Sequence, residues 1–306
     1  MNNLEQLISE YLEYCHYQKK LNQKTIKAYK IDLNQYYGHI KDAETAFKRN
    51  NIINYITDLH KKYKPKSVKR KIASLKAFFS YLEYEDILPE NPFSKIKIKF
   101  QEPFLLPRTI STASMQKLFQ AAYQNMGLKG ASEYQEKSAV RDIAVLELLF
   151  STGLRVSELC SLKCSDLDLE QGSIRIYGKG SKERIVLLAN VQVLSALTAY
   201  QRLFQKNIQA EGFFFCNRLG NRLSEQSVRF MINRYADMSG LTEHITPHMF
   251  RHTFATLLLE EDVDIRYIQQ ILGHSSIMTT QIYTHVTAYK QRNILMTKNP
   301  RNKLNC

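Results

Sequence analysis

The segment TPHMFRHTFAT, residues 246–256, places His248, Arg251 and His252 within five positions. An imidazole can pass a proton near neutral pH, and a guanidinium stays charged at any working pH. Thr246 is a suitable N-cap and Pro247 suits the first position of a helix. His248 and Arg251 then fall in the first helical turn, where unpaired backbone N–H groups and the helix dipole favour an anion. Their three-residue spacing puts both side chains on one face, which suits a phosphate. Zinc is a competing chemistry, because His248 and His252 have the i, i+4 spacing of a zincin helix. Met249 stands where such a helix carries glutamate, however, and no third ligand is evident nearby. A structural alternative is two histidines satisfied inside a core helix, the first choice for a lone histidine, and Met249, Phe250 and Phe254 point to a helix otherwise packed in a core.

Charge narrows the choice of partner. The 306 residues carry 43 Lys and Arg against 29 Asp and Glu, a formal net charge of +14. Residues 1–100 hold 19 basic and 11 acidic residues, so both parts of the chain are basic. That balance fits a polyanion contacted by both halves. Apolar content is ordinary for a globular protein, and the longest apolar run, IAVLELLF, is short and carries Glu147. The N-terminus lacks a signal-peptide pattern, so the expected location is the cytoplasm, with no membrane partner. The five cysteines are scattered. Cys160 and Cys164 are spaced for neighbouring turns of a helix, and the set reads as small half-buried thiols in a reducing compartment.

The elements that must position these groups follow from periodicity. Leu4, Leu7, Ile8, Tyr11, Leu12 and Cys15 keep a 3.6-residue period. A second helix fits Thr25 to Tyr37, with Ile26, Tyr29, Leu33, Tyr36 and Tyr37 toward a core. A third lies around IINYITDLH and a fourth from Ser67 to Tyr84. The fourth follows the run KKYKPKSVKRKIASLK, in which Lys66, Lys69, Arg70, Lys71 and Lys76 are candidate phosphate contacts. A solvated face is an equally good reading of that run. Pro89, Pro92, Pro103 and Pro107 then break any helical period. The expected organisation is a helical domain over 1–100, a linker over 101–110 and a second domain over 111–306. In the second domain, AVRDIAVLELLFSTG reads as a buried helix ended by Gly153. GSIRIYGKGSKERIVLL reads as a hairpin, GFFFCNRLGNRLS as a short extended pair, and SVRFMINRYADMSG as a helix stopped by Gly240. The fold class is mainly α with small β-hairpins.

Four further segments each hold a reactive residue type in a tight context: STGLRVSEL, YGKGSKER, LGHSS and TTQIYTHV. Together with TPHMFRHT, in order and spacing, they resemble the signature of the tyrosine recombinases, the phage integrase and Xer family. The resemblance covers nearly the whole chain and is most specific in the second domain. It implies a helical core-binding domain followed by a mostly helical catalytic domain with a C-terminal oligomerisation tail. It also implies that Arg155 and Arg251 grip the scissile phosphate, with His248 sharing that site as a proton acceptor or donor. Lys179 would protonate the leaving 5′ oxygen and His274 would add a phosphate contact. Tyr283 would be the nucleophile, with Tyr289 a weaker neighbour, and Glu158 a supporting carboxylate. Lys182 and Arg184, on the same hairpin as Lys179, are candidate backbone-phosphate contacts. Taken singly, Arg155 could instead be a buried arginine paired with Glu158, but such structural readings do not hold together for all of these residues at this ordered spacing.

The chemistry supports these roles on its own terms. A phosphodiester repels nucleophiles, and two guanidiniums can fork onto its oxygens and stabilise the added charge of a pentacoordinate state. A phenol with an ordinary pKa near ~10 needs nearby positive charge and a base. No metal is expected, since the sequence offers no acidic cluster of the two-metal nuclease kind, and no cofactor is expected, because the covalent phosphotyrosine stores the bond energy and a second 5′-hydroxyl can reseal it without ATP.

The resemblance implies double-stranded DNA target sites as partners, gripped in a C-shaped clamp. It also implies a homotetramer on two DNA sites, with a C-terminal helix near residues 288–300 exchanged between neighbours. An accessory DNA-bending protein is a further candidate partner. No arm-site-binding domain is expected before the core-binding helices, which looks Xer-like. The segment AAYQNMGLKGASEYQEKSAVRD is longer than a compact Xer-like version and tips the reading toward integration and excision of a mobile element. Xer-type resolution of chromosome or plasmid dimers is the alternative. A type IB topoisomerase and a catalytically dead DNA-binding regulator are the rivals outside recombination.

Overall fold

A computed structural model describes residues 4–40, 45–98, 100, 107–127, 130, 132–178 and 183–273. The chain divides into two compact units, Met1–Phe104 and Leu105–Cys306.

The first unit is built from four helices: α1 (Leu4–Tyr17), α2 (Gln23–His39), α3 (Arg49–Lys62) and α4 (Pro65–Tyr84). Each buries one stripe. On α1 the stripe is Leu4, Leu7, Ile8, Tyr11 and Cys15. On α4 it includes Val68, Ile72, Leu75, Phe78, Phe79 and Leu82. Asn22 caps α2 by accepting from the Lys24 amide, and Pro65 opens α4 two residues before the expected start. The α2 stripe is narrower than its sequence suggests. Leu33 and Tyr36 are buried and Ile26 and Tyr29 are partly buried, whereas Tyr37 faces solvent.

The α2–α4 contact carries a buried ion cluster. Asp32 is fully buried and accepts from Lys71 Nζ at 3.0 Å, from Ser74 Oγ at 2.8 Å and from Arg70. Lys71 also bonds Gln35 and is itself buried. A buried carboxylate needs such partners, since an unpaired charge in a core is costly.

The second unit packs α5 (Thr112–Met126), α6 (Glu133–Thr152), α8 (Val191–Glu211), α9 (Glu225–Met238) and α10 (Pro247–Glu260) around one apolar core. The one-turn helix α7 (Val156–Leu159) follows α6, and α11 (Ile265–Leu272) follows α10. A capping box at Ser132 and Gln135 starts α6, and Gly153 ends it in the left-handed region at φ 61°. Strands β1 (Leu167–Asp168), β2 (Ser173–Tyr177) and β3 (Glu183–Leu187) form an antiparallel sheet in the order β1-β2-β3. Ile174 pairs with Val186 and Ile176 with Arg184, and the apolar members of these pairs are buried.

Two local expectations change. Cys160 caps α7 and Cys164 opens a separate 3-10 turn, so they do not share a helix. Cys15, Cys160 and Cys216 are buried rather than half-buried. GFFFCNRLGNRLS does pair with itself as a short extended hairpin: Cys216 lies antiparallel to Arg222, the Asn217 amide donates to the Asn221 carbonyl at 2.7 Å and the Leu223 amide to the Phe215 carbonyl at 2.8 Å.

Candidate active site

The site assembles where the end of α6 turns into α7. Gly153 reverses the chain and releases its carbonyl from the α6 ladder. Arg155 then stands at the N-cap of α7. Glu158, three residues on, folds back and accepts from the Arg155 amide at 3.0 Å and from Arg155 Nη1 at 2.7 Å. A carboxylate in the first turn suits the helix dipole as well.

Glu158 has a second guanidinium partner, and it is the residue whose role the sequence does not reveal. Arg184 of β3 donates from Nη2 to Oε2 at 2.7 Å and from Nη1 to Oε1 at 3.1 Å. Its Nε donates to the Ile271 carbonyl at 2.9 Å, at the end of α11. Burial pushes the Glu158 carboxyl up. The hydrogen bonds and charge of Arg184 with those of Arg155 outweigh it and hold the carboxyl below its ordinary value. The basic hairpin suggests that Arg184 meets DNA, but the fork of its guanidinium is turned inward onto Glu158. Its side chain is 12% exposed, against 35% for Arg155.

Arg251 lies deeper. It is 3% exposed and donates from Nη1 to the Gly153 carbonyl at 2.8 Å and from Nη2 to the Leu272 carbonyl at 2.6 Å. These bonds tie α10 to the α6–α7 turn and to the end of α11. The expectation that His248 and Arg251 share one face changes accordingly: His248 is exposed while Arg251 points into the protein. Pro247 does open α10, but the Thr246 side chain makes no capping bond. Neither is the pair a core pair of histidines. The His248 and His252 ring centroids are 6.5 Å apart. His252 is half-buried, and its pKa is lowered to about 4 by burial and by the neighbouring charges of His248 and Arg251. Among the described residues, no three His, Cys, Asp or Glu side chains are grouped to hold a metal.

The structure therefore brings together Arg155, Glu158, Arg184 and Arg251 with the carbonyls of Gly153, Ile271 and Leu272, while His248 stands three residues before Arg251 on α10 with its side chain exposed. Lys179, Lys182, His274 and Tyr283 lie outside the described residues, as does the 288–300 segment.

The phage integrase family profile matches residues 110–290, and the family's N-terminal SAM-like domain matches residues 8–86. The chain belongs to the phage integrase family of tyrosine recombinases. These enzymes cleave and rejoin DNA. A tyrosine recombinase of Agathobacter rectalis is 55% identical over 302 residues, covering 98% of each chain. A tyrosine recombinase XerD of Listeria innocua is 35% identical over 308 residues, covering 97% of this chain and all of that one. The crystal structure of the XerH site-specific recombinase, bound to a palindromic difH substrate after cleavage, shares the recombinase fold. It gives a TM-score of 0.73 at 22% identity, over 97% of this chain and 85% of that one.

Of the candidate DNA contacts on α4, Lys66, Lys69, Arg70 and Lys76 are exposed. Lys71 is the exception, because it is buried on Asp32, and Arg70 pairs with the same carboxylate. Of the arginines between 218 and 234, Arg222 bonds the Cys160 carbonyl, Arg229 pairs with Glu225 and Arg234 pairs with buried Asp142.

Proposed function

We propose that this recombinase cuts one DNA strand at a time through Tyr283. The phenolic oxygen attacks phosphorus, the bond to the 5′ oxygen breaks, and a 3′-phosphotyrosine ester forms. The tyrosine proton passes to His248, and Lys179 supplies a proton to the departing 5′ oxygen. Arg155 and Arg251 bind the non-bridging oxygens. A 5′-hydroxyl of another strand reverses the steps without ATP. The observation that supports this reading best is the fixing of Arg251 by two backbone carbonyls beside the Arg155–Glu158 turn. A guanidinium held before substrate arrives need not be reorganised in the transition state.

For the biological role, we favour Xer-type dimer resolution over integration of a mobile element. The XerD of Listeria innocua aligns along 97% of this chain and the whole of its own, so the long 121–142 segment does not set this chain apart in length. The proposed assembly is a tetramer on two DNA sites, by analogy with the lambda integrase tetramer bound to a Holliday junction.

Covalent capture tests both parts. Nicked fragments of the host replicon are incubated with the protein in EDTA, adducts are isolated under denaturing conditions, and the attached DNA is sequenced. The expected result is an adduct in wild type that Tyr283→Phe abolishes, with attached DNA from one chromosomal locus. Attached DNA from the ends of an element flanking the protein's own gene would favour integration instead. An adduct that survives Tyr283→Phe would move the nucleophile elsewhere, and a wild type that forms none would defeat the recombinase reading.

A further inference from the structure

Arg184 is the one described guanidinium in the site to which the recombinase mechanism assigns no role, and its surroundings are specific. It comes from the sheet, yet its contacts are with α7 and α11. It meets Glu158 through both carboxylate oxygens and the Ile271 carbonyl through Nε. That geometry uses the guanidinium fork in a way an ammonium cannot copy. The end of α11 is shaped around it. Gly273 has φ 64°, and a Cβ there would stand 2.9 to 3.1 Å from Arg184 Nη1, Cδ and Cζ. The next residue in the chain is His274.

The charges give the arrangement a second consequence. Glu158 is buried, and both Arg155 and Arg184 bind it. One carboxylate between two guanidiniums leaves a net positive charge. Without Arg184 the carboxylate would have Arg155 alone, and that ion pair would be neutral. An Arg155 neutralised in this way has less attraction left for a phosphate, since the field of a nearby opposite charge counts strongly away from water.

We propose that Arg184 is a positioning residue for strand cleavage. It compensates the charge of Glu158, so that Arg155 stays electropositive toward the phosphate, and it fastens β3 to the end of α11. This rests on the recombinase reading above.

The test compares wild type with Arg184→Met, which keeps most of the stem's bulk, Arg184→Lys, Glu158→Gln and the double variant Arg184→Met/Glu158→Gln. The probe is the nicked duplex recovered by covalent capture with wild type. Adduct formation rate, duplex Kd and thermal midpoint are read for each protein. Arg184→Met is expected to slow adduct formation on the order of 10²-fold, the scale of a misplaced catalytic group, with Kd changed less than about 3-fold. Arg184→Lys should fall between the two, because it restores charge but not the fork. The decisive arm is the double variant. Removing the uncompensated carboxylate should recover at least about 5-fold over Arg184→Met. A merely structural arginine would give a double variant as slow as, or slower than, the single one.

Arg184→Met at the wild-type rate, or a double variant with no recovery, overturns the proposal. If Arg184→Met fails to melt cooperatively, Arg184→Lys decides. A slower rate at an unchanged thermal midpoint supports the proposal, and the wild-type rate overturns it. Failure of the recombinase reading itself would appear earlier and separately, as a wild type that captures no duplex, and it would remove this proposal too.

Discussion

His252 makes stability a function of pH in a way that can be isolated. Its pKa is about 4 in the folded protein, against 6.5 for an ordinary histidine. The unfolded chain therefore takes up a proton near pH 6.5, and the folded chain does so only near 4. Stability is full above 6.5, falls as the pH drops, and levels off below about 4. The gap between the two values corresponds to about 3 kcal/mol at the acid limit and about 2 kcal/mol at pH 5. The perturbation is His252→Gln, which keeps a polar side chain and removes the titration. Urea unfolding of the second unit would be followed by hydrogen exchange of peptides from α6, at pH 7.5 and pH 5.0. Wild type should lose about 2 kcal/mol more than the variant between these conditions. Other groups titrate too. Glu158 lies below its ordinary value, so its contribution is lost only at lower pH. Glu147 is raised by burial, so its penalty eases as pH falls. Both cancel in the difference between wild type and variant. Equal losses in the two proteins, or a His252 ring resonance titrating near pH 6.5 in the native state, would refute the reasoning.

Three further outcomes follow from the packing. Gly153→Ala should destabilise the second unit by roughly 2–4 kcal/mol, combining left-handed backbone strain with overpacking. Its new Cβ would lie 2.6 Å from Phe254 Cδ1 and 2.8 Å from Leu272 Cδ2, and a change under about 1 kcal/mol in urea would mean that the neighbours give way easily. Asp32→Asn should cost the first unit about 3–5 kcal/mol, because it strands the buried Lys71 ammonium. Restoration of stability in Asp32→Leu/Lys71→Met would show that charge imbalance causes the loss, and no restoration would mean that packing does. The exposed Lys66, Lys69 and Lys76 are proposed phosphate contacts, so replacing all three with alanine should flatten the log–log salt dependence of duplex binding by about 2–3. An unchanged slope in a titration across salt concentrations would remove them from the interface.

Much of the scaffold was legible because apolar period and backbone chemistry act locally. The α1 stripe, the Gly153 stop, the Gly240 turn and Pro247 at the start of α10 all depend on residues within one or two turns. Long-range partners were not legible. Lys71 sits in a run of cations that looks like a DNA-facing surface, and its burial depends on Asp32, far back on another helix. Spacing did hold a clue, since Lys71 follows Val68 by three residues and so falls beside the buried stripe of α4. The three-residue spacing of His248 and Arg251 misled for a related reason. Such a pair shares a broad helix face, but the edge of the core runs between them. Three of the site's hydrogen-bond acceptors are the carbonyls of Gly153, Ile271 and Leu272, for which side-chain identity carries no signal at all.

Arg184 shows how much a strand's parity can add to a motif. In β3 and just beyond it, residues 184, 186 and 188 share one face, and Val186 and Leu188 are buried. That alternation already directs Arg184 toward the protein, against the expectation drawn from its basic neighbours on the hairpin. An inward arginine must find an anion, because a guanidinium does not lose its charge. The anion it finds is Glu158, which also holds Arg155. Charge that looks like a DNA-binding surface in the sequence is therefore divided in the fold. Lys66, Lys69 and Lys76 of α4 are exposed, as a phosphate contact requires, while Arg184 and Lys71 each satisfy a buried carboxylate. Counting cations along the chain overstates the first group, and only the register of each helix and strand tells the two apart.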